Sequence, residues 1–190
     1  MRVLSKLRLL AMLLAVGVLA GYWLYSSDWF QRKYIYPFPH QQLVYHYAIQ
    51  NELDPFLVAA IIRTESKFLP RARSPRGAFG LMQMMPETAR WVAKESDEAD
   101  FSLERLAEPE VSIRMGTWYL ANLNREFKGN PVLLLAAYNG GQGNVKEWIQ
   151  RYGWDRQFSD TAQIPFKETR EYVGRVLYSQ KRYAELYGVD

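Results

Sequence analysis

An uncharged run of 19 residues, Leu9 to Ser27, limits this chain more than any other feature. At about 1.5 Å per residue, a helix of that length nearly crosses a hydrocarbon core of roughly 30 Å, so the run reads as a membrane segment. Arg2, Lys6 and Arg8 precede it. Basic residues collect on the cytoplasmic side of a span, which places everything after Asp28 on the other side. Tyr22, Trp23, Tyr25, Trp29 and Phe30 have amphipathic rings of the kind that settle at a membrane–water interface, and they form an expected outer belt. A cleaved signal peptide is the competing reading, with Val18 and Ala20 as the small residues before a cut at Gly21. The apolar residues continue well past Ala20, which favours a retained anchor. Under both readings the rest of the chain is exported. The expected division is a membrane anchor with its flank over residues 1–33 and a working domain over 34–190.

The charges divide the same way. The chain has 24 Lys+Arg and 20 Asp+Glu, a net charge of +4. Residues 1–33 hold Arg2, Lys6, Arg8, Arg32 and Lys33 against Asp28 alone, and residues 34–190 hold 19 side chains of each sign. A nucleic-acid-binding domain needs surplus Lys and Arg to displace the counterions of the phosphates. The exported part has no such surplus, and no nucleic-acid partner is expected. With 48% hydrophobic and 15% aromatic residues the chain has ample apolar surface to fold. It contains no cysteine, which excludes disulfides, thiolate metal sites, a Cys nucleophile and a lipid-modified Cys. His40 and His46 are its only histidines, too few for a His-rich metal centre, and neither a metal nor a cofactor is expected.

Tyr34 to Pro39, with two prolines, reads as a short linker before about 150 residues, the size of one domain. Asp54-Pro55 is an N-cap and first-turn pair that opens a helix through about Ser66, and Asn130-Pro131 opens another through about Tyr138. Pro86 to Glu95, Pro109 to Phe127, Gly143 to Tyr152 and Glu168 to Gly188 carry apolar residues at three- and four-residue spacing. Alternating strand patterns are nearly absent. The spacing predicts a compact all-α domain with irregular stretches near 69–80, 96–101 and 153–167.

One carboxyl group falls in an apolar place. Val58, Ile61 and Ile62 form the inward stripe of the helix from Pro55, and Glu65 follows on the same face. Removal from water disfavours the ionised form and raises the pKa, as a general acid near neutral pH requires. On this helix alone, a Glu that simply reaches solvent at the helix end fits as well. The following segment, Arg71 to Gly80, is rich in turn formers and charge and leads into Leu81-Met82-Gln83-Met84-Met85-Pro86. A loop returning beside Glu65 would build one wall of a cleft. Gln83 needs partners for its amide, either backbone or a sugar. The Met cluster serves as core filler or as ligand surface. The arginines are a solvated loop or an attraction for an anionic polymer. Farther on, the apolar helix Val132 to Ala137 ends in Tyr138-Asn139-Gly140-Gly141, a glycine turn that also reads as a simple helix C-terminus. Glu168 and Tyr172 share a face of the last helix.

Taken in order, Glu65-Ser66, Ser74-Pro75-Arg76-Gly77-Ala78, Gly80-Leu81-Met82-Gln83, Ala137-Tyr138-Asn139 and Glu168-Thr169-Arg170-Glu171-Tyr172-Val173 closely resemble the catalytic domain of the soluble-lytic-transglycosylase family, over about Tyr45 to Tyr187. Each fragment is weak alone, and five in register are specific. The resemblance implies a lysozyme-like, goose-type helical fold after one N-terminal transmembrane helix. It also implies cleavage of peptidoglycan glycan strands between N-acetylmuramic acid and N-acetylglucosamine. Glu65 falls on the family's catalytic acid. Ser74, Gln83, Met85, Tyr138, Asn139, Glu168 and Tyr172 fall among positions that hold the glycan or support the acid, with Tyr138 expected to hydrogen-bond to Glu65. Phe79 is the one departure, and a bulkier cleft wall is expected there.

Most glycosidases need two carboxyl groups, and no second carboxylate in the sequence is evidently paired with Glu65. The family's chemistry removes that need, because the muramic acid C6 hydroxyl closes a 1,6-anhydro ring in place of water. A hydrolytic goose-type muramidase and an inactive glycan-binding scaffold are the alternatives.

Overall fold

The computed structural model describes residues 2–98 and 100–188. Met1, Val189 and Asp190, at the outer ends of the two expected segments, lie outside the described residues. The chain forms two compact units, one running through Phe38 and including the chain from Leu186, the other Pro39–Glu185.

In the first unit, α1 (Arg2–Ser26) is the membrane-length helix. Its stretch Arg8–Ser26 is long and apolar enough to cross a membrane, with mean hydropathy 1.9 and nothing buried. Ser27 then caps a short helix, α2 (Asp28–Phe30), by accepting from the Phe30 amide at 3.3 Å. A π-helical turn follows over Gln31–Ile35. Tyr34 and Ile35 are therefore helical, and Tyr36 is buried, its carbonyl accepting from the Tyr187 hydroxyl at 2.8 Å. The expected linker at Tyr34 to Pro39 is shorter than the prolines imply, because the aromatic residues before Pro37 pack as they turn.

The regular elements of the second unit are helices, and its described residues contain no strand beyond two isolated bridges. It begins with α3 (Gln41–Gln50), a helix the sequence reading did not place. His40 at its N-terminus has φ 57° and makes no side-chain cap, so no capping signal announces it. Next comes α4 (Pro55–Ser66), where Asp54 accepts from the Phe56 amide at 2.8 Å. Pro86 and Pro109 open α5 (Pro86–Glu95) and α6 (Pro109–Glu126). Proline suits the first helical turn, where its missing N–H would have had no partner.

α7 (Pro131–Gly140) is the buried centre of the unit, with Val132 to Ala137 all buried. Asn130 caps it by accepting from the Leu133 amide at 2.9 Å. The Asn130 amide nitrogen also donates to the carbonyls of Arg156 and Phe158, each at 2.8 Å, which secures part of the irregular stretch 153–166. α8 (Gln142–Tyr152) and α9 (Lys167–Tyr187) complete the fold. Gly140 is required by a close approach, since a Cβ there would lie 2.9 Å from Thr169 Oγ1. That contact brings the end of α7 against the start of α9, and so brings Asn139 beside Glu168.

Candidate active site

Glu65 sits one turn beyond the stripe Val58, Ile61 and Ile62, all of which are fully buried. Full burial of such side chains contributes about 1.5–3 kcal/mol each, enough to hold the helix face against the core and carry Glu65 with it. α4 stops two residues later, at Lys67, with φ 52°. The Glu65 carboxyl is half-buried. Burial pushes its pKa up from 4.5 to about 7, opposed by the Tyr172 hydroxyl and the Arg175 charge and assisted by Glu168.

The loop after α4 is built by local chemistry. Ser74 anchors a tight turn: its carbonyl accepts from Gly77 N at 3.0 Å and its hydroxyl from Ala78 N at 3.0 Å. Phe79 and Met84 then exchange two backbone hydrogen bonds, at 3.0 and 3.1 Å. Gly80 at the bend has φ +84°, and a Cβ there would lie 2.3 Å from the Leu106 carbonyl. Only glycine fits both conditions. Met82 pins the loop to two helices: its amide donates to Ser112 Oγ on α6 at 3.3 Å, and its carbonyl accepts from the Tyr138 hydroxyl on α7 at 2.7 Å.

Pinned in this way, the loop faces Glu65 across a cleft of about 340 Å³ lined by Glu65, Ser74, Pro75, Arg76, Ala78, Gln83, Met85, Tyr138, Asn139 and Glu168. An adjoining recess of about 270 Å³ shares Gln83, Met85, Tyr138 and Asn139, and adds Thr88, Tyr119 and Gly141 among its walls. Of the residues singled out in the sequence, Glu65, Ser74, Gln83, Met85, Tyr138, Asn139 and Glu168 meet in one groove. A larger cavity, about 540 Å³, lies elsewhere, around Leu133, Ile149 and Trp154.

Three expectations are corrected. Tyr138 does not hydrogen-bond to Glu65, because its hydroxyl is committed to the Met82 carbonyl. Tyr172 does not line the groove: it is buried, 2% exposed. Its hydroxyl makes no hydrogen bond of normal geometry, and it lies against Glu65, which it influences electrostatically. Phe79 is not a cleft wall but a core residue, packed with Met84, Val92 and Leu106, and the Arg73 guanidinium lies over its ring at 4.2 Å. For Gln83, the backbone reading is the one its donors follow: the amide nitrogen donates to the carbonyls of Ala72 and Gly80, both at 2.9 Å. Its oxygen remains available.

Glu168 is exposed at the rim and lies 3.9 Å from Arg76, with side chains 70% and 81% exposed. Such a pair is weak in water. Thr88 and Tyr119 were missed. Thr88 is one turn from Met85 on α5, a signal available in the sequence, whereas Tyr119 reaches the groove only through the packing of α6 on α7.

The Transglycosylase SLT domain family matches residues 42–160 of the chain. This chain belongs to that family. The chain is 36% identical over 155 residues to a soluble lytic murein transglycosylase of Salmonella typhimurium, covering 80% of the chain and 24% of the relative. It is 35% identical over 156 residues to membrane-bound lytic murein transglycosylase C of Sodalis glossinidius, covering 70% of the chain and 43% of the relative. The crystal structure of the 70 kDa soluble lytic transglycosylase of Escherichia coli superposes with a TM-score of 0.76 at 34% identity, over 84% of this chain and 26% of that one. The chain thus spans about a quarter of the length of its soluble relatives. The all-α, lysozyme-like fold expected from the sequence holds for the SLT domain.

Proposed function

We propose that the chain is a peptidoglycan lytic transglycosylase that cuts the β-1,4 bond between N-acetylmuramic acid and N-acetylglucosamine without water. The observation that carries this reading is the half-buried carboxyl of Glu65, with its pKa raised to about 7, opening on a groove large enough for sugars. Such a group holds a proton near neutral pH and can give it up to a leaving oxygen.

In the proposed reaction Glu65 protonates the glycosidic oxygen as the bond from that oxygen to the muramic acid C1 breaks, and the bonding pair leaves with the oxygen. The substrate's own groups stabilise the electron-poor C1. The C6 hydroxyl of the same sugar then attacks C1, and its proton passes to the Glu65 carboxylate. The ring closes as a 1,6-anhydro end, and the acid is restored. Attack within one residue is favoured by proximity, so the protein has mainly to hold the sugar and keep water out. Tyr172 and Arg175, which favour the anion of Glu65, support its second role as base. Ser74, Gln83, Met85, Tyr138, Asn139 and Glu168 position the strand, Gln83 by its oxygen and Tyr138 by fixing the loop.

Glu168 on the same groove favours one other reading, a hydrolase in which a second carboxylate activates water. Its exposure at the rim supports sugar positioning instead. Digestion of purified peptidoglycan decides, because anhydro ends are lighter than reducing ends by one water. Products bearing reducing ends, or no product at all, would overturn the proposal.

We place the SLT domain on the wall side of the cell membrane, held there by residues 1–33. The length and hydropathy of α1, its basic flank and the membrane-bound relative support this. Release of the whole chain from membranes by high salt alone would contradict it.

A further inference from the structure

Trp91 leaves 44% of its surface in water, although the opposite face of its helix is buried at Ala89, Val92 and Ala93. Its surroundings hold the ring in place without covering it. Trp118 meets it edge-on, with ring centroids 5.6 Å apart at 63°, and Tyr119 meets it at 6.1 Å and 80°. Tyr119 in turn contacts Tyr138 at 5.7 Å. A line of aromatic rings therefore leads from the side chain beside Glu65 to an exposed indole.

The backbone places Trp91 in the same direction. Thr88 and Trp91 lie one turn apart on α5, and Met85 is the extended residue that leads into its first turn. Met85 and Thr88 line the recess that continues the groove beyond Glu65, and Tyr119 forms another part of its wall. Trp91 follows one turn beyond Thr88, its ring against that of Tyr119. No charged side chain lines the recess, which suits an uncharged ligand that offers apolar C–H surface together with hydroxyl and amide groups.

We infer that Trp91, seated on Tyr119 and Trp118, is a further sugar platform that takes an N-acetylhexosamine ring of the same strand, beyond the sugars next to the cleaved bond. A pyranose has one face of C–H bonds and carries its hydroxyls at the edges. Laid on an indole, it buries the apolar face and leaves the hydroxyls in water, so no polar group loses a partner. The platform makes the enzyme sensitive to strand length, because only a strand that fills the groove and passes its end reaches Trp91. This inference rests on reading the cleft as a glycan groove.

The test is calorimetric binding of N-acetylglucosamine oligomers of increasing length to the full chain carrying Glu65→Gln, which leaves the strands intact. Affinity is expected to rise with length until the platform is filled. Adding Trp91→Ala should abolish the last increment, weakening the longest oligomers by about 3- to 10-fold, the worth of an aromatic contact. Trp91→Tyr should restore most of it. Equal weakening at every length would assign Trp91 a structural role and overturn the inference, and so would no weakening at any length. If the Glu65→Gln chain binds no oligomer of any length, the glycan reading of the cleft fails and the platform fails with it.

Discussion

The hydroxyl of Tyr138 donates to the carbonyl of Met82 at 2.7 Å, joining residues 56 positions apart. The bond fixes the loop that carries Gln83 to the helix that carries Asn139. Tyr138→Phe leaves the Met82 carbonyl without this donor and should destabilise the domain by about 1–2 kcal/mol, measured by urea denaturation. Tyr138 is not among the groups that shift Glu65, so the pH at which activity falls should stay in place. A moved pH limb would mean that Tyr138 acts on the acid directly.

Glu65→Gln should lower turnover of purified peptidoglycan by roughly 10²-fold or more, the usual worth of a general acid. It should also reverse a stability penalty. Because the folded pKa of about 7 exceeds the ordinary 4.5, the fold favours the protonated form. The stabilising effect of that proton is complete below pH 4.5 and is lost as pH rises through 7. Relative to the parent, the variant should therefore gain about 3 kcal/mol between pH 4.5 and pH 8. Denaturation curves that run parallel at both pH values would show that Glu65 is not desolvated.

Tyr172 lowers the pKa of Glu65 against the larger effect of burial. Tyr172→Phe should therefore raise that pKa and move the alkaline limb of the rate profile to higher pH. Stability should hold or improve, since the hydroxyl is buried without a normal hydrogen bond. A limb that moves to lower pH would reverse the assigned role.

Gly80→Ala combines a φ of +84° with a Cβ placed 2.3 Å from the Leu106 carbonyl. The loop must shift, and a loss of at least about 2 kcal/mol is expected from the backbone strain and the clash together. Because Gln83 hangs from this bend, KM should rise along with the fall in melting temperature. A variant with parental KM would show that the bend and the groove are independent.

Much of this fold is written in local signals. Asp54-Pro55, Asn130-Pro131, Pro86 and Pro109 each stand at the start of a helix, because capping and the first turn depend on neighbouring residues only. α3 lacks such a signal at His40 and was not read. The groove residues were found by motif order, but their partners were not. That Tyr138 bonds Met82 and that Tyr172 stands behind Glu65 depends on how α7 and α9 pack on the loop, distances that no spacing along the chain encodes. Phe79 was misplaced for the same reason: its position in the loop motif suggested a cleft wall, whereas the bridges to Arg73 and Met84 turn it into the core.

In the proposed function Gln83 would recognise in one direction only. Both hydrogens of its amide are spent on the Ala72 and Gly80 carbonyls, so in the groove that Gln83 lines it has only an acceptor left to offer. A strand that presents an O–H or N–H at that point is welcomed, while one whose oxygen there has been acylated sets lone pair against lone pair. Chemical masking of a single hydroxyl would thus shield a polymer from this protein without altering the polymer's shape or its charge.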